Sequence, residues 1–162
     1  MGLGLAPFVL LMTLGGLLLA GGIEDARTRE IANAKNAAIA LLAPLWWWSI
    51  GLPLWPDVAI QILLAAIVFA VFVGAFAAGW MGGGDVKMIG ALALWLPAEA
   101  LLPMLMTMSV LGGGVTALLM AERRWRTAGG GDAAAPIEVP YGVAIAAAGL
   151  LALREPLFNH LP

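Results

Sequence analysis

The chain has no cysteine, one histidine and two serines among its 162 residues. Without cysteine there is no disulfide, no thiolate nucleophile and no cysteine-based zinc site. His160 stands third from the C-terminus. That position rules out an HExxH metal site and leaves a Ser–His triad without a usable base. Ser–Lys chemistry would need Lys35 or Lys87, but Ser49 and Ser109 fall toward the middle or far end of apolar stretches, away from both. Charge is scarce too, at 11% of residues, where a soluble domain carries about 25%. The net charge of −2 provides no basic surface for nucleic acid.

What remains is apolar. Hydrophobic residues make up 62% of the chain and the mean hydropathy is +0.98. They fall in stretches near the roughly 20 helical residues needed to cross a hydrocarbon core of about 30 Å. The pattern predicts an all-α polytopic membrane protein, with six transmembrane helices near 3–22, 36–53, 58–79, 86–98, 101–121 and 139–154. Residues 1–162 read as a single integral membrane domain with no soluble domain, and the lipid bilayer as its surroundings. Gly2–Gly22 has no Lys or Arg before it, so it reads as a retained helix rather than a cleaved signal.

Basic residues set the orientation. Arg27, Arg29, Lys35, Lys87, Arg123, Arg124 and Arg126 fall in alternate loops, and only Arg154 falls on the other side. Those loops are expected in the cytoplasm, with both termini outside. Trp46, Trp47, Trp48, Trp55 and Trp95 map near outer span ends, and Trp80 and Trp125 near inner ends, as an interfacial belt would. The fourth span is short. From Val86 to Pro97 there is roughly 18 Å of helix. Either the helix continues through Pro97, or the Gly82-Gly83-Gly84 turn sits at membrane depth against protein or a cavity. Thr127–Pro136 reads as a small-residue cytoplasmic loop.

Near one membrane surface the chemistry left in quantity is carboxylate. Asp25 and Asp85 end the first span and open the fourth. Asp25 alone reads as a solvated loop residue beside Arg27. Asp85 is different, because an acid that follows three glycines and opens an apolar helix is costly at that depth without a role. Packed together, two carboxylates do not both ionise easily. The ionised one can activate water while the protonated one polarises a carbonyl, with no metal and no covalent intermediate.

At these residues the chain resembles the prepilin peptidases, aspartic proteases with a Gly-x-Gly-Asp motif. Gly82-Gly83-Gly84-Asp85, extended as GGGDVKMIGAL, is similar to their second aspartate motif. Asp25 through Asn33 is similar to their first, in which the aspartate is followed by Ile-Pro-Asn; Ala32 replaces the proline here. Pro140-Tyr141-Gly142 resembles their closing helix start. The resemblance implies a membrane endopeptidase of the bacterial inner membrane that cleaves the leader of pilin-like precursors on the cytoplasmic side. It implies Asp25 and Asp85 as the catalytic pair, with Gly82, Gly84 and Lys87 in supporting or substrate-binding positions and no cofactor. Without the paired Cys-x-x-Cys motifs of larger members, the chain looks like the short tight-adherence (Flp-pilus) branch, which implies peptidase activity without methyl transfer.

Lys87 has two readings, a positive-inside anchor or a cation that meets a carboxylate of the site or of the substrate. Gly112-Gly113-Gly114 reads as close helix packing. The rival function is a non-enzymatic membrane transporter or secretion-assembly subunit. Transporters place ionisable groups near the midplane, whereas here almost every charge lies at a span end.

Overall fold

A computed structural model describes residues 4–128 and 139–154, and among them there are helices and no strand. The helices are α1 (Leu5–Thr28), α2 (Asn33–Ser49), α3 (Ala59–Ala77), α4 (Gly83–Ala93), α5 (Ala98–Ala128) and α6 (Tyr141–Ala152). A distorted turn, Leu54–Val58, leads into α3. Three segments are long and apolar enough to cross a membrane: Leu5–Thr28, Leu54–Ala77 and Ala98–Arg126. The others are shorter, with 17 residues in α2, 11 in α4 and 12 in α6. The expected loop at 127–136 begins inside α5, and its remainder lies outside the described residues.

The shortest helix is the central one. Val86, Met88, Ile89, Ala91, Leu92 and Ala93 of α4 are all buried, and only Lys87 of this helix is exposed. It packs against α2, α3 and α6, while α1 packs against α6 and α2, and α5 against α6. Glycines set the spacing. A Cβ on Gly83 would fall 3.3 Å from Phe76, and one on Gly90 2.6 Å from Phe69, so α3 and α4 run antiparallel in close register. A Cβ on Gly22 would fall 2.8 Å from that of Ala146, and one on Gly149 3.0 Å from Leu18, which fixes α1 against α6 in the same way. By contrast, Ile60, Leu63, Ile67 and Val71 form an exposed apolar stripe on α3, the face lipid would cover.

α4 does not continue through Pro97; it stops at Ala93, and α5 starts at Ala98. Proline has no amide to continue the ladder and disfavours helix in the residue before it. The carbonyls left open at this end have side-chain donors. Gln61 Nε2 donates to Ala93 O at 2.6 Å and Leu96 O at 2.7 Å, and Trp47 Nε1 donates to Leu94 O at 2.8 Å. Trp95 is buried, stacks on Trp46 at 5.7 Å between ring centroids, and donates to Ile39 O. The expected tryptophan belt therefore divides. Trp48, Trp55, Trp80 and Trp125 are exposed, whereas Trp46, Trp47 and Trp95 pack around the end of α4.

Candidate active site

The α1–α2 connection is a tight turn held by its own charges. Arg29 takes the left-handed conformation (φ 59°), and its amide closes on Asp25 O at 2.9 Å. Glu24 Oε2 accepts from the Ala32 amide at 3.0 Å and from Lys35 Nζ at 2.7 Å. Ala32 caps α2 with φ −59°, near the value to which proline is fixed. The alanine thus keeps a proline-like backbone and supplies an N–H that proline lacks. In this turn Asp25 faces inward from the last turn of α1, only 4% exposed.

Asp85 is the third residue of α4, so Gly83 and Gly84 belong to the first helical turn rather than to a turn before it. Its Oδ2 accepts from the Gly82 amide at 3.2 Å, the arrangement an acid at this position commonly adopts. Asp85 is 7% exposed. None of these three glycines has positive φ. Their value lies in close approach: a Cβ on Gly84 would sit 3.3 Å from Ile31 Cβ, and one on Gly82 3.1 Å from Asp85 Oδ2.

The two acids line one cavity of about 220 Å³, together with Arg29, Glu30, Ile31, Asn33 and the three glycines. They reach it from the last turn of α1 and the first turn of α4. The start of α6 completes the surroundings of Asp25. The amides of Gly142 and Val143 face its carboxylate, and a Cβ on Gly142 would fall 2.8 Å from both Cβ and Cγ of Asp25. Asp25 Oδ2 nevertheless has no hydrogen-bond partner. Helix N-termini carry partial positive charge, and two of them, from α4 and α6, meet at the acid pair.

Lys87 lies outside this cavity, exposed, and donates to Asn33 Oδ1 at 2.8 Å. Three supports were not legible as site residues. Gly142 was visible only as a helix start. Ile31 is buried and touches the Cβ positions of Gly21, Gly84 and Gly142, so it pins α1, α4 and α6 together. Asn36 is buried and donates from Nδ2 to Gly84 O at 3.1 Å; an Asn in the first turn of an apolar helix was the available signal. Of the other glycine triplet only Gly112 packs closely, 2.8 Å from Tyr141. Gly113 and Gly114 have open space.

No curated protein and no solved structure matches the chain. The model of the type IV leader peptidase family matches residues 12–118, a stretch that holds both acids and ends before α6. Most of the chain is covered, and it belongs to the type IV leader peptidase family.

Proposed function

We propose that the chain is a membrane aspartic endopeptidase that removes the leader from pilin-like precursors, with Asp25 and Asp85 as its acid–base pair. The carrying observation is that two buried carboxylates, from helices far apart in sequence, open into one small cavity. With both acids at that cavity, one ionised carboxylate takes a proton from water as the oxygen attacks the scissile carbonyl carbon. The other, protonated, donates to the carbonyl oxygen, and a proton then passes to the leaving amine as the C–N bond breaks. Family membership supports the peptidase class, and the buried pair supports the aspartic type.

The basic residues at the cavity end, Arg27, Arg29, Lys35 and Lys87, support a cytoplasmic-facing site in the bacterial inner membrane. In this reading residues 1–162 form one membrane domain. The shorter α2, α4 and α6 lie among the three long spans and complete a six-helix arrangement. The test is precursor cleavage in detergent by Asp25→Asn and Asp85→Asn. Each variant is expected to lose about a hundredfold or more in rate, the scale of a positioned acid or base, while still inserting and accumulating. Near-normal turnover by either variant would remove the pair from the mechanism.

A further inference from the structure

Glu24 and Asp25 are consecutive, and on a helix consecutive side chains diverge by about 100°. Asp25 faces inward, whereas Glu24 is half-buried and reaches across the α1–α2 turn. A single oxygen, Oε2, accepts from both the Ala32 amide and Lys35 Nζ. Lys35 lies in the first turn of α2. One carboxylate therefore ties the last turn of α1 to the start of α2. Glu24 does not line the cavity of the acid pair, so anything it does for that cavity it does through the turn.

The turn has little else to hold it. From Ala26 to Ala34 only Ile31 is buried, and Ile31 immediately precedes the tethered amide. Its side chain lies 3.3 Å from the Cβ position of Gly84, next to Asp85 in the chain, and 2.7 Å from that of Gly142, which abuts Asp25. What fixes Ala32 thus also fixes the wedge between the helices around the two acids. Ala32 itself has φ −59° and ψ 132°, a backbone that proline adopts without strain. Ile31 lies outside both helices, where the residue before a proline belongs. A proline here would restrict the turn through its own ring, whereas alanine leaves the unfolded chain more freedom to lose. With alanine the restraint has to come from a partner. The amide that proline lacks is the group that Glu24 takes.

We infer that Glu24, together with Lys35, is a positioning residue for Asp25: it clasps the alanine turn and replaces the restraint of a proline ring at position 32. This rests on the peptidase reading and adds how the turn beside Asp25 is set. Ring and clasp are alternatives, because a proline leaves Glu24 no amide to hold.

The full chain in detergent is compared as parent, Glu24→Ala, Ala32→Pro and the two changes together. For precursor cleavage, Glu24→Ala should lose about tenfold in kcat with little change in KM, the pattern of a displaced catalytic group. Ala32→Pro should stay within about twofold of the parent. In the Ala32→Pro background, Glu24→Ala should cost less than about twofold, a coupling that independent sites do not show. Glu24→Gln keeps an oxygen for the Ala32 amide and should lose less than Glu24→Ala. Hydrogen exchange provides a readout without activity: the amides of Ile31 and Asn33 should exchange about tenfold faster in Glu24→Ala and return toward the parent in the double variant. Equal losses from Glu24→Ala in both backgrounds overturn the clasp and leave the peptidase reading standing. So does a lower melting temperature with kcat per folded enzyme unchanged. Failure of Ala32→Pro to fold also overturns it, since the clasp requires a backbone ready for proline. If the parent does not cleave the precursor, the peptidase reading itself falls, and the role of Glu24 falls with it.

Discussion

Gly142 carries no side chain, and α6 can therefore lay its first turn against Asp25. Any Cβ there would be forced into Asp25 and Ile31, with contacts of 2.7–2.8 Å, and the helix would have to retreat. Gly84 is in the same position against Ile31, with slightly more room. A shift of about 1 Å in a catalytic group costs roughly a hundredfold in rate. Gly142→Ala and Gly84→Val are therefore expected to lower precursor cleavage per folded enzyme at least about tenfold. Gly113→Ala, whose Cβ would meet open space, should stay near the parent. Equal activity across the three variants would show that glycine spacing does not position the acids. At this scale the sequence made Asp85 conspicuous, as an acid that follows a glycine run and opens an apolar helix. Asp25 alone read as a solvated loop residue and was singled out by the family resemblance; the structure buries both. The sequence was silent on Gly142 as a contact of Asp25. What matters there is a neighbour brought in from the far end of the chain, and residue spacing carries no such distance.

α4 shows how a helix can end among other helices without leaving its carbonyls bare. The sequence left open whether the helix runs on through Pro97, and it stops short of it at Ala93. The partners at its C-terminal end were not foreseeable, because Gln61 and Trp47 reach it from different helices. A belt position and a capping position look alike for tryptophan, since both want an indole N–H near a polar group. Only packing separates Trp47 from Trp48. Gln61→Leu keeps the bulk and removes a donor shared by Ala93 O and Leu96 O. Leaving buried carbonyls unpaired costs about 1–3 kcal/mol. The variant should unfold at lower temperature in detergent, while the kcat of the surviving folded fraction stays close to the parent's, because this end of α4 is opposite Asp85. An unchanged melting temperature would mean that water or lipid headgroups already serve those carbonyls.

Across the whole molecule, hydropathy and basic-residue asymmetry were enough for an all-helical membrane protein with its charge at one end. The structure agrees in bringing the end of α1 and the starts of α2, α4 and α6 to the same end. Hydropathy registers apolarity more readily than reach, so it drew six similar spans where three are long and three short. The two shortest helices are also the two whose N-termini meet at the acid pair. At 1.5 Å per residue, the 11 residues of α4 and the 12 of α6 cover only about 16–18 Å, little over half a hydrocarbon core of about 30 Å. Within a membrane, helices this short leave apolar depth that neighbouring helices or a thinner bilayer must fill. That is hydrophobic mismatch, with a cost of fractions of a kcal/mol per Å. On the proposed peptidase reading, host lipid thickness is then expected to control cleavage: a thin bilayer should relax around the α4–α6 pair, and a thick one should strain the packing around Asp25 and Asp85. Cleavage in vesicles of graded acyl length should be fastest in short-chain lipid and decline as the chains lengthen, with little change for the enzyme in detergent. A flat profile would mean that α1, α3 and α5 alone set the membrane thickness around the protein.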